Sequence, residues 1–219
     1  MTPRLMRVSS KMLFLAVTTA GFNLPAEPLP DTAASTNLIS HAMMVKAEVR
    51  HEGGPGLMLA DRAYLAAGTN RFAFLIPPEL RLQVVEQRRV QLFTADYSLL
   101  LTVQVLDRPS PGTPQLDVNV SREHILKEYP GAKILSQSAP TVCGREGLGF
   151  EFEWIADGNL ARRSRVVLAG TSAGMLELSV SSSPEQFESA LLGFNTLLLT
   201  LVASEPGGKL NVAPISGML

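Results

Sequence analysis

The sequence is poor in the side chains from which most catalytic and metal sites are built. Its 219 residues include one cysteine, Cys143, and three widely separated histidines, His41, His51 and His124. One cysteine excludes an internal disulfide, and without a CxxC pair or clustered histidines a zinc site has no ligand set. The residues therefore predict no metal, no cofactor and no catalytic constellation, and we expect that the chain is not an enzyme.

The single thiol leaves one enzymatic alternative open. Arg145 follows Cys143 by two residues, and a nearby guanidinium can lower a thiol pKa. A thiol-dependent enzyme centred on Cys143, with His124 as its imidazole, is therefore one hypothesis. The sequence favours the competing one, in which Cys143 is a small buried residue at the start of a strand.

An excess of charge of one sign is also missing. The 19 basic and 20 acidic residues leave a net charge of −1, so the chain has no general attraction for nucleic acid or anionic lipid. The apolar run at residues 12–17 is shorter than the roughly 20 residues that a membrane span needs. We expect neither nucleic-acid binding nor a stable membrane span.

The first 20 residues have the order of an export signal. Three basic residues precede the apolar run, and small residues up to Ala20 follow it. We predict a signal peptide over residues 1–20, with cleavage after Ala26 as a second choice. The alternative is a short apolar helix or a tail without a function. Removal of residues 1–20 would take away three of the 19 basic residues and none of the 20 acidic ones, which leaves a net charge of −4. A mildly acidic chain without disulfides suits a periplasmic or secreted protein.

Three further segments lie outside the predicted domain. Closely spaced prolines make residues 21–37 a linker. Residues 38–69 form an N-terminal extension whose structure the sequence leaves open: residues 43–49 alternate as a strand would, and residues 57–67 fit a short helix or a loop. Residues 205–219 read as a flexible tail.

The clearest element is a β-hairpin. Apolar and polar residues alternate between positions 148 and 154, and a period of two predicts a half-buried antiparallel strand. A second strand over residues 162–169 returns after the turn 157–159. With a three-residue loop, one register pairs charges on one face and apolar residues on the other. Its pairs are Glu153 with Arg163, Glu151 with Arg165, Phe150 with Val166, and Leu148 with Leu168.

A third strand and a long helix follow the hairpin. Residues 176–181 alternate again, and Ser183, Pro184 and Gln186 then fit a helix cap, a first helical position and a capping box. An apolar stripe predicts that the following helix covers a sheet. Its members are Phe187, Ala190, Leu191, Phe194, Leu197, Leu198 and Leu201.

The middle of the chain adds further strands and one shorter helix. Strands are predicted over residues 70–76, 97–106 and 132–137, with an exposed proline-rich loop at residues 107–114. Ser121 is the predicted cap of the shorter helix. That helix should run over residues 122–129 and bury Ile125, Leu126 and Tyr129. The order predicts an α+β fold in which helices pack against an antiparallel sheet.

The segments 162–168, 175–181 and 184–187, followed by Phe194, resemble the C-terminal half of the PsbP-like superfamily. This superfamily includes the extrinsic photosystem II subunit, the Ran-binding Mog proteins and bacterial periplasmic relatives. The resemblance covers about residues 70–204 and implies an α/β/α sandwich. It also implies a non-catalytic extrinsic subunit, assembly factor or adaptor that binds a protein partner. An intracellular chaperone-like adaptor for a secreted effector is the alternative.

Two groups of residues are candidates for ligand or partner binding. A charged cluster on the hairpin could bind an anionic ligand, or it could be a solvated ladder in which each pair contributes about 0.2–1 kcal/mol. Two leucines of the long helix exceed the width of one apolar stripe, so a partner or the N-terminal segment could cover them. The candidates are Arg162, Arg163, Arg165, Glu151 and Glu153 in the cluster, and Leu192 and Leu199 on the helix.

Overall fold

The computed structural model describes residues 45–53, 60–86, 88–106, 116–171, 174–205 and 207–212. These residues form two antiparallel sheets and two α-helices, and a 3-10 turn at Pro184–Gln186 precedes the second helix. The predicted signal peptide, the linker and the 107–114 loop lie outside the described residues. The strands and helices in chain order are β1 (Val45–Glu52), β2 (Ala60–Ala67), β3 (Asn70–Leu75), β4 (Arg81–Glu86), β5 (Arg89–Phe93), β6 (Leu99–Leu106), α1 (Val118–Glu128), β7 (Lys133–Ser138), β8 (Thr141–Val142), β9 (Arg145–Ala156), β10 (Leu160–Thr171), β11 (Gly174–Ser182), α2 (Phe187–Thr200) and β12 (Val202–Ala203).

The larger sheet is built around the predicted hairpin. Its strands follow the order β4-β5-β6-β11-β10-β9-β7, and β8 pairs with β9 at one side. β9 and β10 are joined by the three-residue turn 157–159, and every predicted pair is in register, including Glu153 with Arg163 and Phe150 with Val166. The alternation therefore predicted both the strands and their alignment.

The smaller sheet comes from the segment that the sequence left open. Its order is β1-β2-β3-β12, so residues 45–52 and 60–67 pair with the strand that begins at Asn70. The strand alternative for the first of these segments is confirmed. The helix or loop proposed for residues 57–67 is wrong where the structure describes it, because β2 has strand partners on both sides and these outweigh the helix propensity of its four alanines.

The main core lies where the two sheets and α2 meet. α2 presents its predicted apolar stripe to β11 and β3, and residues from both sheets join it in one buried cluster. On the opposite face of the larger sheet, Ile125 of α1 packs on Phe150, Phe152 and Val166. The predicted α/β/α sandwich is therefore wrong, because α2 shares its face of the larger sheet with a second sheet.

The helix starts differ from those predicted. Asp117 caps α1, its side chain accepting hydrogen bonds from the backbone N–H groups of Asn119 and Val120, and Ser121 is buried one turn further on. Leu126, predicted to be buried, is exposed. Before α2, Ser183 makes no side-chain cap bond to the described backbone, because the 3-10 turn intervenes.

Candidate binding surface

α2 has one side in the core and two exposed leucines on the other. Leu192 is 70% exposed and Leu199 83% exposed, whereas Phe187, Phe194 and Leu197 on the opposite side are fully buried. At 100° per residue, Glu188, Leu192, Asn195 and Leu199 lie within about 60° of one another around the helix axis. We call these four residues the outer stripe. The two predicted leucines therefore lie on the same accessible side of α2, about 10 Å apart along the helix axis, with exposed Asn195 between them.

A groove opens beside the first half of the outer stripe. It has a volume of about 370 Å³ and lies between α2 and two turns, one after β3 and one after β5. Leu192 lies at its rim. Its walls combine apolar and hydroxyl side chains, a mixture that suits an amphipathic chain segment. The lining includes Pro77, Leu80, Thr94, Ser98, Leu99 and Ser189.

The N-terminal end of the outer stripe carries one ion pair of the predicted charged cluster. The Nε of Arg163 donates to the Oε1 of Glu151 at 2.9 Å, and its guanidinium lies 4.7 Å from the centre of the Phe187 ring. Its Nη1 is 3.9 Å from the Oε1 of Glu188. Arg163 therefore links the hairpin to the first turn of α2, next to Leu192.

The other members of the predicted cluster lie elsewhere. Arg162 is opposite Trp154 and shares the sheet face that α1 covers. Arg165 donates from its Nη2 to the hydroxyl of Ser138 at 3.2 Å. Glu153 is exposed, although it is in register with Arg163. The predicted cluster of five is thus one diagonal ion pair and three separate side chains.

One carboxylate lines the groove, and two more lie close to it in the chain. Glu79 is in the lining, in the turn after β3, whereas Glu185 in the 3-10 turn and Glu188 in the first turn of α2 are next to the lining residues Gln186 and Ser189; all three are exposed. Hydrogen bonds from its own backbone N–H and from the Ser183 hydroxyl lower the pKa of Glu185. Carboxylates in these positions favour a basic group on whatever binds beside them.

Cys143 lies away from this surface. Its thiol points at the carbonyl oxygen of Leu201, 3.6 Å from the sulfur, and burial raises the thiol pKa to about 11. Arg145, the nearest cation, lowers this pKa by less than burial raises it. At neutral pH the thiol is protonated, so it lacks the thiolate that a nucleophile needs.

Sequence patterns did not predict two partly buried polar contacts. Under α1, the Nε2 of His124 lies 2.9 Å from the Oε2 of Glu177. In the smaller sheet, the Nε of buried Arg62 donates to Glu52 at 2.8 Å, and the hydroxyl of Tyr64 donates to the same carboxylate. Glu177 occupies a position that its alternating pattern assigns to solvent, and the structure of residues 57–67 was left open, so the sequence carries no signal for either contact.

The described residues contain no group of three His, Cys, Asp or Glu side chains that could hold a metal ion. None of the described helices has the length and apolarity to cross a bilayer.

Comparison with known proteins supports the fold. No protein-family model matches the sequence, and no curated protein matches it. The solution structure of cyanobacterial PsbP (CyanoP) from Synechocystis sp. PCC 6803 is similar, with a TM-score of 0.51 and 12% identity over 81% of this chain and all of that one. LpqN, involved in cell envelope biogenesis of Mycobacterium tuberculosis, matches at a TM-score of 0.44 and 15% identity over 73% of this chain and 91% of that one. The chain has the PsbP-like fold that its sequence predicted.

Proposed function

We propose that this chain is an exported, non-catalytic binding domain whose outer stripe and adjacent groove hold a segment of a protein partner. The exposure of Leu192 and Leu199 carries this proposal. A helix that only covers a sheet needs one apolar stripe, and burial of a leucine contributes about 1.5–3 kcal/mol. Two leucines exposed on the same side of one helix, the first of them lining a groove, favour a surface that a partner covers.

The chemistry of the surface indicates what it binds. The leucines favour apolar side chains, and the carboxylates of Glu79, Glu185 and Glu188 favour Lys or Arg at one end. A helix that places apolar residues on one side matches the seven-residue spacing of the leucines. We therefore propose an amphipathic partner segment with apolar residues along one side and a basic residue near the Glu188 end.

Photo-crosslinking in the source cells tests this proposal. A photoreactive residue is placed at position 192, at position 199, or at Leu160, which is 57% exposed at the tip of the hairpin. We expect one discrete adduct shared by positions 192 and 199 and absent at 160. Leu199→Asp should abolish the adduct formed at 192, whereas Leu160→Asp should leave it intact.

A second pair of variants tests whether the glutamates near the start of α2 contribute to partner binding. Glu185→Lys with Glu188→Lys should weaken the same adduct, and Glu146→Lys with Glu153→Lys, which also changes two exposed glutamates, should not. Adducts of equal yield at all three positions, or none at 192 and 199, would overturn the proposed surface. An adduct at position 192 that survives Leu199→Asp would do the same.

The thiol-enzyme hypothesis has less support. Cys143 is partly buried and protonated, and the imidazole of His124 is engaged with Glu177 on the other face of the larger sheet. The intracellular adaptor would use the same α2 surface and differs from the exported domain in keeping its N-terminal segment.

A further inference from the structure

β1 is the long regular edge among the described strands. It pairs with β2 over all eight of its residues without interruption, and no described strand lies on its other side. The edges of the larger sheet, β4 and β7, each contain a register shift, and β12 is two residues long. Bulged and short edge strands resist pairing with other chains, whereas a regular edge accepts it.

The side chains of β1 divide into two sets. Val45 and Ala47 pack into the core, but Val49 on the same side is 41% exposed. The other side carries charges of alternating sign, and the Nε of Arg50 donates to the Oε1 of Glu48 at 2.9 Å. The charged residues of this side are Lys46, Glu48, Arg50 and Glu52.

We propose that β1 pairs antiparallel with β1 of a second copy, about a twofold axis at Val49, and so joins two four-stranded sheets into one of eight strands. In this register Glu48 lies opposite Arg50 of the second copy, and Lys46 lies opposite Glu52. Symmetry repeats both pairs, so four oppositely charged pairs line one face of the junction. Cross-strand pairs of opposite charge stabilise a sheet, and like charges destabilise it.

Neighbouring registers are disfavoured by the same charges. A shift of the axis by one residue towards the N-terminus sets Glu48 against Glu48 of the second copy. The same shift towards the C-terminus sets Arg50 against Arg50. In a register that places odd-numbered residues opposite even-numbered ones, the core side of one β1 would share a face with the charged side of the other. The charge order of β1 is therefore self-complementary about Val49.

Charge reversal in the full chain tests this pairing by sedimentation velocity over a range of concentrations. We expect the wild-type chain to dimerise, and we expect Glu48→Arg and Arg50→Glu each to weaken the dimer by at least about tenfold, because each sets like charges opposite one another. A mixture of the two variants restores opposite charges in every central pair. It should form a 1:1 heterodimer with near wild-type affinity.

Two valines of similar exposure supply the matched control. Val49→Lys sets two ammonium groups together at the axis and should abolish the dimer. Val84→Lys, at a position 42% exposed on the bulged edge β4, should leave it intact.

A wild-type chain that stays monomeric, or a dimer whose affinity does not respond to the changes at 48, 49 and 50, would overturn the proposal. If the Glu48→Arg and Arg50→Glu chains do not associate when mixed, the proposed register about Val49 is wrong. Because this surface is separate from the outer stripe, crosslinking at 192 and 199 does not depend on the result.

Discussion

Cys143 occupies a turn between β8 and β9 at a φ of 51°, and its thiol faces the last turn of α2. A non-glycine residue in this conformation is held by its surroundings, here by the burial of the side chain among core residues. The same burial raises the thiol pKa from 9.0 to about 11. Cys143, which the sequence offers as a nucleophile, therefore packs against the core. The side chains around it come from strands and a helix that are distant in the chain.

The raised pKa of Cys143 has a consequence for stability at high pH. The folded chain keeps the thiol protonated to a higher pH than the unfolded chain, so the contribution of this group is fully present below about pH 9 and is lost as pH rises towards about 11. We expect the pH dependence of the unfolding free energy between these values to be smaller in Cys143→Ala than in the wild type, by on the order of 2 kcal/mol.

Urea unfolding at pH 8 and at pH 10.5 measures this difference. Buried Tyr129, whose pKa is also raised, to about 12, titrates in both proteins, so the comparison cancels its contribution. Equal pH slopes for the two proteins would show that the thiol is not buried. Slow reaction of the native thiol with a disulfide reagent at pH 8 provides an independent check.

The helix starts show how far local sequence determines an element. Asp117 and Ser121 are both good cap residues, and the structure uses the former because its Oδ1 lies 2.8 Å and 2.9 Å from two free backbone N–H groups. Asp117→Ala should therefore cost about 0.5–2 kcal/mol of unfolding free energy in thermal or urea unfolding.

Ser183→Ala provides the contrast. Sequence pattern predicts it as a cap, but it makes no cap bond to the described backbone, so its removal should change stability by no more than about 0.5 kcal/mol. A large effect of Ser183→Ala with a small effect of Asp117→Ala would contradict this assignment of the helix starts.

Two glycines should respond to alanine with opposite sign. At Gly147 in β9, an added Cβ would lie 2.8 Å from the carbonyl oxygen of Leu168 and 3.2 Å from that of Pro140, so neighbouring backbone would have to move. We expect a loss of about 1–3 kcal/mol. At Gly193 inside α2, the nearest atoms are 3.6 Å away on Pro77, and alanine should stabilise the helix by about 0.5–1 kcal/mol. Melting temperatures of both variants, measured side by side, decide whether the signs differ.

Strands with a clear period of two and the apolar stripe of α2 were predictable, whereas elements that depend on distant partners were not. The β9–β10 register followed from sequence because charges and apolar residues agreed on one alignment. β2 did not, because Ala60–Ala67 is rich in a helix-forming residue and becomes a strand only between two partners. Of the binding surface, the outer leucines could be predicted from helical spacing. The link from Arg163 to Glu188 could not, because it depends on how α2 crosses the sheet.

At the scale of the whole molecule, export is the property that separates the proposed function from its intracellular alternative. We expect the mature chain, purified from the source cells, to begin at Gly21, because the predicted signal ends at Ala20. Intact-mass spectrometry of that chain shows whether residues 1–20 have been removed. A mass that corresponds to the complete 219-residue chain, recovered from the cell interior, would favour the intracellular adaptor.

The prediction of an α/β/α sandwich, which concerns the whole molecule, is wrong. The family resemblance began at residue 70 and so omitted β1 and β2, which supply half of the strands in the smaller sheet. With those strands present, part of the sheet face assigned to a helix layer meets a second sheet instead. The error came from a segment whose alternation is weak and whose partners lie far along the chain.

The smaller sheet is completed by the end of the domain. β12, at Val202–Ala203, pairs with β3, and the hydroxyl of Thr200 accepts a hydrogen bond from the backbone N–H of Leu75. Contacts that join residues more than a hundred positions apart form late, because closing so long a loop has a large entropic cost. During synthesis, the first strands to leave the ribosome must therefore wait for almost the last before the smaller sheet is complete.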